Sequence, residues 1–147
     1  MLRKLMITDR DPGSLVLRLM LGVVFLPHGA QKVLGWFGGH GLSATLGAFT
    51  QQMGLPLIVA ILVIAAESLG AIALIIGFLT RIAALGIFAV MAGAIYMAHW
   101  PHGFFMNWSG NQAGEGFEYH LLAMAIALAL MLRGGGFASV DGVITRR

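Results

Sequence analysis

The sequence predicts an all-α integral membrane protein, a four-helix bundle with both termini inside and two long external loops. Three observations predict it. From Leu55 to Leu79 the chain runs 25 residues with only two polar side chains, Glu67 and Ser68. That length suits a helix crossing a bilayer, which needs about 20 apolar residues. The chain is 59% hydrophobic and 10% charged, where a soluble domain carries about 25% charged residues, so too little polar surface is left to cover a water-facing particle. Finally, the Lys and Arg residues cluster on one side of the apolar segments, and that asymmetry sets the orientation.

Four apolar segments divide a single membrane domain over residues 1–147, at about 13–34, 55–79, 82–98 and 117–132. Asp11-Pro12 reads as an N-cap followed by proline in the first helical turn. Pro27, inside the first helix, removes a backbone hydrogen bond and predicts a kink. Pro56 starts the second helix. Thr80-Arg81 leaves almost no loop, so helices two and three form a tight antiparallel hairpin with Thr80 capping the third. The connections 35–54 and 99–116 are long and rich in Gly, aromatic and amide residues. Both follow an odd-numbered helix and lie beside a His-Gly pair, His28-Gly29 or His102-Gly103, which hints at a duplicated two-helix unit. The opening MLRKLMITDR has the basic character of a signal peptide. No small-residue cleavage site follows its apolar stretch, so an uncleaved first helix is expected.

Arg3, Lys4 and Arg10 precede helix one, Arg81 lies in the tight turn, and Arg133, Arg146 and Arg147 follow helix four. Four crossings put all of them on one face, and neither long loop contains Lys or Arg. The positive-inside rule then makes the termini cytoplasmic and the loops external. The five histidines (His28, His40, His99, His102 and His120) gather at the opposite, outer pole with Lys32 and Glu118. The formal charge of +3 is thus accounted for by membrane orientation. The basic residues stand singly or in pairs, and no nucleic-acid partner is expected. The absence of cysteine excludes disulfides, thiolate nucleophiles and cysteine-ligated clusters in this chain.

Glu67 is the focus of the candidate chemistry. An ionisable group at mid-membrane costs roughly 2.5–3.5 kcal/mol on insertion scales, faces protein or water, and marks a functional site. On helix one, Arg18, Gly22, Phe25, Gly29 and Lys32 fall on one stripe at spacings of four and three, which should face protein. Arg18 is expected either to pair with Glu67 or to snorkel to the headgroups. His28, Gln31 and Lys32 follow the loosened backbone at Pro27, a signal for a polar pocket. His99, Trp100, Glu118 and His120 complete the pocket candidates, although Glu118 and His120 point about 200° apart on a helix. The outer aromatic residues suit an interfacial belt or a wall for a flat ring. Gly86, Ala89 and Gly93 on helix three read as tight helix packing. A Glu-x-x-His di-metal pattern is absent, and no metal or haem site is expected.

These residues carry a family resemblance. The strings LRLMLGVVFLPHGAQKVLGWFGGHG, AAESLGAIALIIGFLTR, HWPHGFF, FEYHLL and GGGFASVD resemble, in order, the DoxX family of small four-helix membrane proteins. The elements HG-x-x-K, E-x-x-G, G-F-x-T-R, H-x-x-x-G-F-F and G-x-G-x-x-S-x-D make the resemblance specific, with glycine in the closing segment where the family often has proline. The resemblance implies a subunit or accessory protein of the bacterial inner membrane, labelled an oxidoreductase and linked to quinone-reducing sulfur oxidation and oxidative-stress assemblies. It draws attention to Arg18, His28, Lys32, Glu67, Arg81, His99 and Glu118.

The resulting expectation is a membrane-embedded redox subunit with an outward-facing polar pocket and a quinone as candidate cofactor. In it Glu67 and His28 relay protons, and His28, Lys32, His99, Trp100, Glu118 and His120 line the site. Two alternatives use the same features: a non-enzymatic scaffold that assembles redox enzymes, and a carrier of small solutes or lipids. The expected partners are the bilayer and redox proteins, with a homo-oligomer as a further option.

Overall fold

A computed structural model describes residues 2–145. Arg146 and Arg147, which the charge-sidedness reading counts, lie outside the described residues. Every element described is helical. α1 (Leu2–Met6) is a short leading helix. α2 (Pro12–Leu34) begins on Asp11, whose carboxylate accepts from the N–H groups of Gly13 and Ser14, and ends on Gly35 at φ 73°. Both ends are therefore capped in the usual way. Hydrogen bonds from the Ser14 hydroxyl, the Gly13 N–H and Arg133 hold the Asp11 carboxyl below the ordinary carboxylate range. Because the folded value lies below the unfolded one, this cap keeps its stabilising effect at neutral pH and loses it only in acid. α2 runs unbroken through Pro27.

α3 (Gly41–Gly47), extended by a π-helical turn at Ala48–Gln52, fills the first long connection. α4 (Leu57–Ile76) carries a π-helical turn at Ala66–Gly70. α5 (Thr80–His102) is regular to Ala94, π-helical over Ile95–His99 and 3-10 at its end. α6 (Glu118–Arg133) and α7 (Val140–Thr145) follow. α2, α4 and α5 are each long and apolar enough to cross a membrane. α6, at 16 residues, extends about 24 Å and packs chiefly along α5.

The core is thin and built from small residues. Ala71, Ala84 and Ala127 pack with Phe25, Leu74, Ile87 and Leu130, and small side chains let membrane helices approach closely. Large apolar residues face outward instead, among them Val16, Leu62, Leu69 and Leu122. This is the distribution expected when lipid is the solvent.

The pole that holds both chain ends is locked by buried polar groups. Arg18 is 1% exposed, and its guanidinium donates to the carbonyls of Gly135 (2.9 Å), Leu74 (3.2 Å), Ile75, Phe137 (3.2 Å) and Ala138 (2.8 Å). This corrects the expected Arg18–Glu67 ion pair. The last carbonyls of α4 lack helical donors, and the rigid five-donor fork of arginine fits them and the 135–138 turn. Asp141 accepts from the N–H groups of Leu79 (2.7 Å) and Thr80 (2.9 Å). The cap of α5 therefore comes from the far end of the chain and not from the Thr80 side chain. Leu79 at φ 48° and Gly77 at φ 70° close the tight hairpin turn. Arg81 donates to the carbonyls of Met131, Leu132 (2.7 Å) and Ile7 (3.2 Å), holding the end of α6.

Arg18→Met keeps the apolar stem but takes a donor from five carbonyls, of which Leu74 keeps the Gly77 N–H at 3.1 Å. A loss of roughly 3–5 kcal/mol is expected, as when one partner of a buried charged network is removed. Thermal unfolding in detergent followed by circular dichroism measures it. Arg133→Ala, which removes only the exposed bridge to Asp11, should leave the transition nearly unchanged.

Candidate functional site

Glu67 sits on the π-helical turn of α4, 6% exposed. Such turns insert one extra residue into the helix and recur at functional sites. The Ser68 hydroxyl donates back to the Ile64 carbonyl at 2.6 Å, satisfying one group at that turn. α2 can lie against the turn only because residue 29 is glycine. A Cβ there would stand 2.5 Å from the Glu67 carbonyl oxygen and 2.6 Å from Ser68 Cα. That approach brings Lys32, one turn further along α2, into an ion pair with Glu67 Oε2. The predicted stripe of α2 is thus turned inward: Arg18, Gly22, Phe25 and Gly29 are buried and Lys32 is half-buried.

On the loop side of Glu67 is a cavity of about 290 Å³, bounded by α2 (Phe25, His28), α4 (Glu67), α5 (Met91, Ala94, His99), the 103–117 loop (Met106, Glu115) and α6 (Tyr119, His120). His99 also lies on a π-helical turn. Its Nδ1 is 2.8 Å from the Glu115 carbonyl. A carbonyl only accepts, so Nδ1 carries the proton, and Nε2 of the neutral ring is the basic nitrogen. The rings of His99 and His120 touch, with centroids 4.0 Å apart. Two polar atoms around this space are buried without a hydrogen-bond partner, the Tyr119 hydroxyl and His120 Nδ1, beside the Glu67 carboxylate that Lys32 holds through Oε2. Buried polar groups are nearly always satisfied, so two around one cavity mark a place for a polar guest.

On its other side Glu67 borders a second, larger space. An apolar groove of about 900 Å³ runs between α4 and α5, and Glu67 and Lys32 are the charged residues on its wall.

Comparisons with known proteins fit this picture. The DoxX family profile matches residues 13–100. The chain belongs to the DoxX family. It is 30% identical over 129 residues to a Bacillus subtilis (strain 168) protein named "Putative oxidoreductase CatD", covering 88% of this chain and 84% of that one. It is 26% identical over 137 residues to "Inner membrane protein YqjF" of Escherichia coli (strain K12), covering 93% and 95% respectively. No solved structure matches the chain.

The DoxX profile ends at residue 100, so Tyr119 and His120 lie beyond the matched stretch. Of the predicted site residues, His28, Glu67, His99 and His120 come together around the smaller cavity. Lys32 reaches Glu67 from the groove side. Two candidates fall outside both spaces. Trp100 is 68% exposed and stacks on Phe117 with centroids 5.6 Å apart, because the 3-10 turn after His99 rotates it outward. Glu118 accepts from the Met106 N–H at 2.9 Å and fastens the loop; one helical step from Tyr119 and two from His120, it points away. Met106 and Glu115 are pocket residues that the sequence reading did not place there, while Tyr119, counted among the outer aromatic residues, forms part of the pocket wall. Tyr119 stands four before the buried Ala123 and eight before the buried Ala127, a periodicity that marks the inner face. Glu115 lies in irregular loop and leaves no such signal. Among the described residues no group of three or more His, Asp or Glu has metal-binding geometry.

Gly29→Ala should separate α2 from the turn carrying Glu67, since the neighbouring atoms are backbone and cannot yield. Overpacking of this kind costs about 1–3 kcal/mol. Gly93→Ala, where a Cβ meets nothing within 4 Å, should be neutral or slightly stabilising through helix propensity. Paired thermal melts of the two variants measure the contrast.

Proposed function

We propose that this DoxX protein is a redox subunit of the bacterial inner membrane. In this reading it spans the bilayer with four helices, keeps both termini in the cytoplasm, and takes a quinone head group in the pocket around Glu67. The observation that carries the proposal is the pair of unpartnered polar atoms, from Tyr119 and His120, that shares one small cavity with the Glu67 carboxylate. A quinone ring presents two carbonyl oxygens on a flat apolar body, which suits this mixture of donors with Phe25 and Met91. The cavity volume lies at the lower end of the roughly 300–1,000 Å³ usual for ligand sites and fits a single ring. The names of the two relatives, an oxidoreductase and an inner-membrane protein, are compatible with it.

A bound quinone supplies two-electron, two-proton redox chemistry. The Tyr119 hydroxyl and His120 Nδ1–H would donate to the ring oxygens and set its orientation. The second carboxylate oxygen of Glu67 would accept a proton next to the ring, while Lys32 holds Oε2 and fixes the side chain. His99 Nε2 and the exposed His28 ring would pass that proton to water at the loop face. In this arrangement Lys32 acts through Glu67 and does not itself touch the ring.

The test uses purified protein in phospholipid nanodiscs with a tailless benzoquinone, 2,3-dimethoxy-5-methylbenzoquinone. Wild type should bind it, and Tyr119→Phe should weaken binding about fivefold to tenfold, the loss of one hydrogen bond worth about 1 kcal/mol. Glu67→Gln should still insert and bind but lose quinone-coupled turnover in membranes containing the native donor. Wild-type protein that fails to bind this quinone, yet co-purifies with redox enzymes, would replace the proposal with the scaffold reading. Solute flux through protein-loaded liposomes would replace it with the carrier reading.

A further inference from the structure

The groove between α4 and α5 has no role in the proposed chemistry, yet it touches the same carboxylate. It runs from Phe78 and Leu79 at the hairpin turn to Met97 and Ala98 near the loops. Residues 82 to 98 of α5 line it, a length of about 24 Å. Small residues are expected to close helices together, and at Gly86 they do: a Cβ there would be 3.1 Å from Ala66 Cβ. Two turns later that closure is absent, and a Cβ at Gly93 would meet nothing within 4 Å. The expected tight packing therefore holds at Gly86 and fails at Gly93. Beyond the hairpin base α4 and α5 diverge, and the glycine leaves open space between them. The opening faces outward between helices long and apolar enough to cross a membrane, so lipid has direct access to it. Its continuity with the pocket is specific, because Glu67 and Ala94 line both spaces.

We infer that this groove seats the hydrocarbon tail of the molecule whose head group occupies the pocket. The ligand is then an amphiphile that enters sideways from the bilayer, with its head passing Glu67 and its chain lying along α5 past Gly93. The inference rests on the pocket reading above. It adds that the substrate is a long-chain quinone drawn from the membrane and not a water-soluble ring. The Lys32–Glu67 pair stands where the polar and apolar parts of such a molecule meet.

Because the chain has no cysteine, single-cysteine reporters are clean. Gly93→Cys reports on the groove and Met106→Cys on the pocket. Each is alkylated with a membrane-permeant maleimide in phosphatidylcholine nanodiscs, with either decylubiquinone or the tailless benzoquinone added. Both quinones should slow alkylation of Met106→Cys, and only decylubiquinone should slow that of Gly93→Cys, by fivefold or more. Gly93→Phe, placed where a Cβ meets nothing within 4 Å, should lower the affinity for decylubiquinone about tenfold and leave that for the tailless ring unchanged. If both quinones protect Met106→Cys but decylubiquinone leaves Gly93→Cys reactive, the tail lies elsewhere; the inference falls and the pocket reading stands. If neither protects Met106→Cys, both fall. A Gly93→Cys variant already shielded by phospholipid alone, or one that crosslinks into a disulfide dimer, would give the groove to an acyl chain or to a second copy and overturn the inference.

Discussion

A carboxylate in the middle of an apolar run has to be paired or it tends to be neutralised, and the middle of this bundle is organised around that requirement. Pairing Glu67 takes three coordinated features. The π-helical turn at Ala66–Gly70 re-aims the side chain. Gly29 lets α2 come within backbone contact of that turn. Lys32, one turn beyond Gly29, then supplies the charge. None of the three suffices alone. A regular α-helix would shift the carboxylate's direction, a larger residue at 29 would hold α2 off, and without Lys32 the acid would be buried with no counter-charge.

The two ends of the molecule divide the work. At the terminal pole, buried polar groups meet backbone groups that the helices leave unsatisfied. Arg18 answers the carbonyls of α4 and the closing turn, and Asp141 answers the first N–H groups of α5. Hydrogen bonds made this way, out of water, are costly to break and fix how the helix ends sit. At the loop pole the Tyr119 hydroxyl and His120 Nδ1 are left unmatched. The same scaffold is thus saturated where it anchors the helices and unsaturated where the cavity lies. The rigid pole holds the open one in register.

The parts of this arrangement that were legible in the sequence are those that regular helix geometry dictates. The inward stripe of α2 follows from spacings of four and three, and the divergence of Glu118 from His120 follows from 100° per residue. The importance of Glu67 followed from cost alone. What was not legible depends on long-range closure or on irregular backbone. Arg18 was expected at Glu67, but its real partners are backbone carbonyls, some more than 110 residues away, and carbonyls carry no residue-type signal. Lys32 took the place of Arg18 because Glu67 lies against Gly29, one turn from Lys32 but about 16 Å along α2 from Arg18. Thr80 was expected to cap its own helix, and a carboxylate from the last helix does so instead. Trp100 and His99 are neighbours in sequence but part company where the helix tightens from π to 3-10 geometry. Gly93 shows the same limit from another side. A glycine tells that a side chain is missing, but only the helix axes tell whether a neighbour fills the gap.

Glu67 is shared between an apolar groove and a polar pocket, and this bears on why one acid can be tolerated there. A carboxylate sealed in hydrocarbon pays the full desolvation cost, whereas one at a boundary can keep a charged partner on one side and exchange protons through the other. Lys32 stands on the groove side, and three histidines and a tyrosine stand on the pocket side. The ion pair takes one carboxylate oxygen of Glu67, Oε2, and leaves the other for exchange, so charge compensation and chemistry share one side chain but not one atom.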